Sequence, residues 1–341
     1  MRKKQVTTRE IARQLGVSHI TVSRALSEDP QVSARVAEKT RERIKRRATE
    51  LGYIPSLMPT AFATGRTDTL GLLTFEVFRE TLSRQTDQIL RVADRHNYQV
   101  LVGLAPTQLT GALLHDRSWQ IEQMVARGVD GLLIHARGGE DPSERILRTV
   151  APRVPVVTFA HATAQAVSGV ELDDTAGFFE ATSHLIRLGH ERIGFIGTDW
   201  NRRRVGSAKG LGYFRAMQEH GLPSERIPAK STIRAGYQLG QGDRHRFTAY
   251  VCRSDYTAIG LCRGLREAGL RVPEDVAVVG AGDLEVSAYF TPALTTLRTP
   301  YEQIAEAVMD LMLEQQQGTP PPRKVTLTHR LIVRESCGAS P

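Results

Sequence analysis

The chain of 341 residues is expected to fold as a small all-α headpiece built on a helix-turn-helix, followed by a larger α/β domain of two lobes. Three observations carry this reading. Residues 6–26 have the pattern of two short helices about a glycine turn. From Thr69 onward short apolar strands alternate with helices, and the alternation restarts at Ile193. The charge is uneven: of 45 Lys and Arg and 37 Asp and Glu, 14 and 6 lie in residues 1–66, which leaves 31 of each in the remainder. The front segment therefore carries +8, the formal net charge of the whole chain, as suits a surface that faces phosphates.

In the front segment, Thr7 and Glu10 form a capping-box pattern that opens the first helix. Ile11 and Leu15 share one face, Gly16 supplies the left-handed residue that ends the helix, and Val17 is the apolar residue that commonly follows such a stop. Ser18 is the N-cap candidate of the second helix, and Val22, Ala25 and Leu26 give that helix an apolar stripe. His19, Ile20, Thr21, Ser23 and Arg24 occupy the remaining face near its N-terminus. A second helix of this kind lays its first residues on base edges in the major groove. Periodicity alone fits any pair of packed helices; the charge distribution favours DNA. Ser33 is expected to cap a third helix with Val36, Ala37, Ile44, Ala48 and Leu51 inward, until Gly52 stops it. Its other face, with Arg41, Arg43, Lys45, Arg46 and Arg47, suits either phosphate contact or solvent.

The run T-T-R-E-I-A-R-Q-L-G-V-S-H-I-T-V-S-R-A-L at residues 7–26 resembles the lactose, galactose and purine repressor family of bacterial transcription regulators. The likeness continues through Val32-Ser33 to Glu50-Leu51-Gly52-Tyr53-Ile54-Pro55. It recurs in Leu188-Gly189-His190-Glu191-Arg192-Ile193-Gly194-Phe195-Ile196-Gly197 and in Gly269-Leu270-Arg271-Val272-Pro273-Glu274-Asp275-Val276, so it covers nearly the whole chain. The resemblance implies a cytoplasmic repressor, acting as a homodimer on a near-palindromic double-stranded operator and controlled by a small-molecule effector. It implies a DNA-binding headpiece at 1–53, a hinge segment at 54–67 and an effector-binding and dimerisation domain at 68–341. Candidate DNA contacts are Thr8, Ser18, His19, Ile20, Thr21, Ser23 and Arg24. Of these, His19 and Ile20 are expected to set base choice, and Arg24 to read guanine through O6 and N7. In the family the hinge forms a short helix on operator DNA and wedges an apolar side chain into the minor groove. Phe62 stands where leucine is usual, and an aromatic wedge is compatible with that role. Pro59 departs from the pattern but falls in the first turn if Ser56 is the N-cap, where its missing N–H breaks no bond. A disordered linker is the other reading of this segment.

In the larger domain, Leu70-Gly71-Leu72-Leu73, Val100-Leu101-Val102, Gly131-Leu132-Leu133-Ile134 and Val154-Pro155-Val156-Val157 read as strands, with residues 83–96 a helix that turns Ile89, Val92 and Ala93 inward. The second series is Ile193-Gly194-Phe195-Ile196, Ala249-Tyr250-Val251-Cys252 and Val276-Ala277-Val278-Val279. Continuous apolar strands between helices predict parallel sheets covered on both faces. Ligands of such sheets bind beyond the carboxyl ends of the strands, here between two lobes. The resemblance implies the same arrangement, a periplasmic-binding-protein-like effector domain. Residues 324–334, with Val325, Leu327, Leu331 and Val333, read as a closing strand segment.

Several of the family's pocket positions are altered here. Lys209, three residues before Gly212-Tyr213, stands where the family has a ligand-gripping arginine; it keeps the charge and loses the planar fork. Ser254-Asp255 replaces an Asn-Asp pair, and Asp255 is either a ligand contact or the N-cap of the following helix. Gly280-Ala281-Gly282-Asp283 keeps only the second Asp of a Gly-aromatic-Asp-Asp element. Phe75 or Phe78, in a stretch with Glu76 and Val77 that replaces an Asn-Pro-Phe element, could stack on a sugar ring or belong to the core. Asn201-Arg202-Arg203-Arg204 could attract an acid or remain solvated. The effector residues expected are therefore Phe75, Lys209, Ser254, Asp255 and Asp283. The ligand expected is a small polar metabolite, a carbohydrate or sugar acid first.

No segment is apolar and long enough to span a membrane, and the N-terminus has no apolar signal region. Cys252, Cys262 and Cys337 have no metal-ligand spacing and read as reduced thiols. Gly280-Ala281-Gly282 lacks the third glycine of a dinucleotide loop, where Glu285 stands. No phosphate-binding loop, nucleophile elbow or paired zinc histidines are present, and His184 and His190 do not share a helix face, so neither an enzyme, a metal site nor a cofactor is expected. His190 is expected to serve the helix terminus. The competing functions are a sugar-binding or sugar-processing protein with a degenerate headpiece, and a regulator without an effector.

Overall fold

The structure, a computed structural model, describes residues 6–27, 29–55, 65–75, 80–104, 117–136, 149–160, 167–197, 208–242, 246–318 and 320–339. Contacts divide the chain into two units, Met1–Thr67 and Asp68–Pro341.

In the first unit α1 (Thr8–Leu15) opens as its sequence dictates: the Thr7 side chain accepts the Glu10 N–H, and Gly16 closes the helix at φ 65°. Ser18 caps α2 (His19–Ala25) by accepting the Thr21 N–H. The third helix differs from expectation. Asp29 caps a single turn, α3 (Pro30–Ser33), so Ser33 ends a helix and does not begin one. The next helix, α4 (Glu38–Glu50), starts after Ala37, which is exposed and gives no side-chain cap. Pro30 suits the first position of α3, and its own short hydrogen-bonded turn uses the residues that a longer helix would need. Ile11, Val22, Ala25 and Ile44 are fully buried and, with Ala12, Val36 and Ala48, form the core of this unit.

The second unit holds two six-stranded sheets. The first sheet contains β1 (Thr69–Thr74), β2 (Gln99–Leu104), β3 (Gly131–His135), β4 (Val156–Ala160), β5 (Ser168–Asp173) and, far along the chain, β11 (Lys324–Thr328). Its order is β11-β5-β4-β3-β1-β2, and every pairing is parallel. Helices α5 (Glu80–Arg95) and α6 (Arg117–Ala126) follow β1 and β2. The second sheet contains β6 (Ile193–Ile196), β7 (Glu225–Ile227), β8 (Ala249–Cys252), β9 (Ala277–Ala281), β10 (Thr295–Arg298) and β12 (Arg330–Ile332) in the order β12-β10-β9-β8-β6-β7, with only β12 antiparallel. Between them run α7 (Asp174–Arg187), α8 (Ala208–Glu219), α9 (Ile233–Gln241), α10 (Asp255–Glu267), α11 (Glu285–Tyr289) and α12 (Tyr301–Gln317).

Helices pack on both faces of each sheet, leaving the edge strand β2 of the first largely uncovered. Ile304, Val308 and Met312 of α12 join Ile89 and Val92 of α5 on one face of the first sheet, and Ile121 and Met124 of α6 pack on the other. Phe178 and Leu185 of α7 and Tyr213 and Met217 of α8 cover one face of the second sheet; Ala258, Leu261 and Leu265 of α10 cover the other. Glycine permits the closest approach. A Cβ at Gly236 of α9 would meet the Thr257 carbonyl of α10, and one at Gly260 would meet the Ile233 carbonyl, so these two helices touch backbone to backbone.

Four expectations are corrected. The fourth strand begins at Val156, because Val154-Pro155 leads into it and proline offers no ladder donor. The apolar runs also failed to reveal β5, β7 and β10, which are short or carry Thr, Glu and Arg. β2 is an edge strand with Leu101, Val102 and Leu104 exposed, so the first sheet is not covered throughout. The tail is two strands, one in each sheet, broken at His329, which interrupts the apolar series 325, 327, 331, 333 with a polar residue.

The chain passes between the sheets three times: from β5 into α7 at Asp173–Asp174, from β10 into α12 at Thr299–Pro300, and from β11 to β12 at His329. These crossings meet. His329 Nε2 lies 2.9 Å from Asp174 Oδ1, and its Nδ1 lies 3.5 Å from Thr299 Oγ1. Gly177 leaves the room that the His329 ring fills, since a Cβ there would come within 2.6 Å of it.

Candidate recognition helix and effector cleft

The exposed face of α2 is assembled by its cap. Ser18 Oγ accepts the Thr21 N–H at 3.1 Å and lies 2.8 Å from Thr21 Oγ1, which fixes the first turn. Val22 and Ala25 are buried, so His19, Ile20, Ser23 and Arg24 are turned outward and Thr21 is half-buried. Ile20 is 51% exposed, a large apolar side chain among polar ones. The Arg24 guanidinium is bonded to no described residue and is available to an outside acceptor. Thr8, half-buried, opens α1. On α4 the arginines divide: Arg41 bonds to Glu38 and to the Ser33 carbonyl, Arg43 donates to the Leu15 carbonyl at 3.1 Å, and Arg47 donates twice to Gln14 Oε1. These three tie the headpiece together, so the basic face of α4 is less available to phosphate than its sequence suggests. Phe62, with the rest of residues 56–64, lies outside the described residues, as do Glu76, Val77, Phe78 and residues 201–204.

In the larger unit, Phe75 follows β1 at the carboxyl edge of the first sheet. It is half-buried and its ring lies 5.1 Å from that of His135, which stacks on Phe159 at 5.0 Å. His135 is not legible in this role from local pattern, because it closes an apolar strand. Lys209 sits in the first turn of α8, and Gly212 lets that helix approach α7 closely: a Cβ there would meet the Thr175 carbonyl. Tyr213 anchors the same helix. Its hydroxyl donates to the Ile193 carbonyl at 2.7 Å and accepts the Glu225 N–H at 2.8 Å, and burial pushes its pKa up to about 12. The Lys209 ammonium is 3.7 Å from Asp174 Oδ1 and 5.4 Å from the centre of the Phe178 ring, with 22% of its side chain exposed. Any ligand reaching it competes with the carboxylate that His329 also holds.

The two acidic candidates are corrected. Asp255 is not the N-cap of α10; Ser254 is, accepting the Thr257 N–H. Asp255 is fully buried, its Oδ1 accepting Thr296 Oγ1 at 2.6 Å and its Oδ2 accepting the Leu284 N–H and Ser287 Oγ, both at 2.9 Å. Burial raises its pKa against the lowering effect of these three donors. Gly280 is the space Asp255 occupies, since a Cβ there would collide with Oδ1. Asp283 is also buried: Oδ2 accepts Arg298 Nε at 2.5 Å and Oδ1 accepts Arg334 at 2.7 Å. Both carboxylates therefore hold the second lobe together and neither presents oxygen to a ligand. The partners that withdraw them, Thr296, Ser287 and Arg334, lie up to 51 residues away in sequence, which explains why local pattern did not reveal them.

The lobes also meet directly: Arg84 of α5 donates to the Asp283 carbonyl at 2.8 Å, and Glu80 accepts the Glu285 N–H at 2.8 Å. His190 closes the end of α7 with its backbone N–H on the Leu185 carbonyl, while its ring lies 3.2 Å from Thr248 Oγ1 and burial lowers its pKa. Among the described residues no group of three metal-ligating side chains exists, the three cysteines are free and buried, and no helix is long and apolar enough to cross a membrane.

Comparison with known proteins agrees with this geometry. Residues 7–56 match the bacterial regulatory proteins of the lacI family, and residues 182–337 match a periplasmic binding protein-like domain. The HTH-type transcriptional regulator MalR of Streptomyces coelicolor is 32% identical, over 98% of this chain and 98% of that protein. The chain belongs to the lacI family of bacterial regulatory proteins. This lacI-family member is accordingly a helix-turn-helix transcription regulator, and its fold is that of solved relatives. The lac repressor dimer bound to operator and the anti-inducer ONPF superposes with a TM-score of 0.84 at 24% identity, covering 98% of this chain and all of that one. The transcriptional regulator CelR in complex with cellobiose gives a TM-score of 0.67 at 27% identity over 97% of this chain and all of that chain.

Proposed function

We propose that this regulator is a cytoplasmic repressor that binds a near-palindromic operator as a homodimer and releases or tightens on it when a small carbohydrate or sugar acid enters between the lobes. The observation that carries the DNA reading is the capped α2 with His19, Ile20, Ser23 and Arg24 outward and the Arg24 guanidinium bonded to no described residue. On it Arg24 reads guanine, and Ile20 packs on a thymine methyl, the apolar group that the major groove offers. Thr8, Ser18 and Thr21 contact the backbone around them. The headpiece 1–53 is joined to the effector domain 68–341 by a hinge at 54–67, where Phe62 wedges into the minor groove. Neither enzyme chemistry nor a cofactor enters this account.

The effector reading rests on Phe75, Lys209 and Ser254. An aromatic side chain and a cation each suit a sugar that carries hydroxyls or a carboxylate, and CelR, similar along nearly the whole chain, holds cellobiose. Lys209 would exchange Asp174 for the ligand, and Asp174 is bound to His329 at the crossing between lobes. Effector occupancy thereby acts on the crossing between the lobes. Fluorescence anisotropy on DNA from the protein's own upstream region, with Lys209→Ala as the comparison, tests this: the variant keeps operator affinity and loses the effector response. A retained response removes Lys209 from the pocket.

A further inference from the structure

Where the chain crosses between the lobes of the larger unit, the surface forms an open cavity of about 650 Å³. Its wall is drawn from both lobes. Arg84 and Gln88 come from α5, Arg298 from the end of β10, Tyr301 and Gln303 from the first turn of α12, and Arg330 from the start of β12. None of Phe75, Lys209 and Ser254 lines it, and His329, which does, is bonded to Asp174, the carboxylate that Lys209 faces.

Three guanidinium groups from three different elements meet around this space. Two are oriented from behind. Arg84 is held by Glu80 at 2.7 Å and by the Asp283 carbonyl, and Arg298 by Asp283. Arg330 is exposed and bonded to no described carboxylate. Of the two acidic residues on the wall, Asp87 is already paired with Arg91 at 2.8 Å, and Glu302 lies in the first turn of α12. That helix runs for 17 residues and begins at Pro300 without a side-chain cap, and Glu302 in its first turn offsets the partial positive charge of its amide end. Glu80 and Asp283 already offset Arg84 and Arg298, so Arg330 is the cation that a bound anion newly neutralises, and arginine forks suit the several oxygens of a phosphate better than a single point charge would. The volume exceeds what a bare ion needs and falls in the range of sites for small organic molecules.

We propose that this cavity is a second ligand site, taking a small phosphate-bearing anion whose phosphate lies among Arg298, Arg330 and Arg84 and whose remaining polar groups meet Gln88 and Gln303. Because Arg84 belongs to the first lobe while Arg298 and Arg330 belong to the second, the bound anion fastens the two lobes at their crossing. The site does not depend on the effector reading above; it stands on the cavity and its cations.

Isothermal titration of the full chain with ribose 5-phosphate, glycerol 3-phosphate, inorganic phosphate and unphosphorylated ribose tests the proposal. Arg330→Gln and Arg84→Gln serve as site variants, and Arg46→Gln in the headpiece as a control for anions held by the DNA-binding surface. The expected result is saturable binding of the phosphates but not of ribose, weakened at least tenfold by either site variant and unchanged by the control. If the sugar phosphates bind more tightly than inorganic phosphate, the ligand is a phosphorylated metabolite; equal affinities identify free phosphate. Binding that is absent for every phosphate, or equal in wild type and both site variants, overturns the proposal. Arg330 is exposed and makes no bond to a described carboxylate, so its replacement leaves the fold intact for the comparison.

Discussion

Replacing Asp255 with alanine separates a structural carboxylate from a ligand-gripping one. The side chain is fully buried and receives three donors: the Thr296 hydroxyl on Oδ1, and the Leu284 N–H and Ser287 hydroxyl on Oδ2. Each donor left buried without an acceptor costs about 1–3 kcal/mol, and the two hydroxyls can rotate to recover part of this, so Asp255→Ala should lose about 4 kcal/mol. For a domain of this size that is on the order of 10 °C in Tm. Asp255→Asn keeps one oxygen for Leu284 and Ser287 and turns an amide N–H toward Thr296, whose hydroxyl can accept it; the loss should be about 1 kcal/mol. The pH dependence has a definite sign. The folded pKa of Asp255 lies above the ordinary 3.8, so its protonation contributes stability that is complete below 3.8 and lost as pH rises through the folded value. The melting difference between wild type and Asp255→Asn should therefore shift in favour of wild type on acidification. Circular dichroism melts of the three proteins at several pH values provide the assay. A Tm of Asp255→Ala within 2 °C of wild type, together with a lost effector response, would refute the structural assignment.

Other expectations concern the DNA-reading face, the hinge and helix packing. Arg24→Ala should lose about 1–3 kcal/mol on operator and little on random DNA, measured by anisotropy at fixed salt; equal losses on both would make Arg24 a phosphate contact. Operator carrying deoxyuridine for thymine should bind less tightly at the position that Ile20 covers, and Ile20→Ala should be indifferent to that change; a wild type equally indifferent at every thymine would exclude the methyl contact. Phe62→Ala should weaken operator binding and reduce DNA bending in gel phasing assays, and unchanged bending would remove it as a wedge. Gly236→Ala should lower Tm by overpacking α9 against α10, by about 1–3 kcal/mol, and a neutral result would mean that these helices separate easily.

The sequence read best where the information is local. The Thr7 cap, the Gly16 stop and the Ser18 cap depend on residues within a turn of each other, and the first two helices of the headpiece have the form expected of them. The buried strands β3, β8 and β9 were visible as apolar runs, because parallel strands covered on both faces need little else. Legibility failed where distant residues decide. Asp255 and Asp283 look like ligand contacts in a linear motif, and only the fold brings Thr296 and Arg334 to them. The tail looked like one strand because its alternation is regular on either side of His329, and the division between two sheets depends on where Asp174 and Thr299 lie in space. The basic face of α4 shows the same limit: Arg43 and Arg47 meet Leu15 and Gln14 of α1, contacts that charge counting cannot foresee.

In the proposed function α2 reads a specific operator and the cleft between the lobes controls that binding. Its most direct test is fluorescence anisotropy of the full-length protein on labelled DNA from its own upstream region, at fixed salt, titrated with a panel of sugars and sugar acids. The expected result is tight binding that random DNA of the same length does not match, and one compound that shifts operator affinity at least tenfold, about 1.4 kcal/mol of coupling. Equal affinity for operator and random DNA would contradict the recognition helix, and specific binding that no sugar or sugar acid moves would contradict the carbohydrate-controlled cleft.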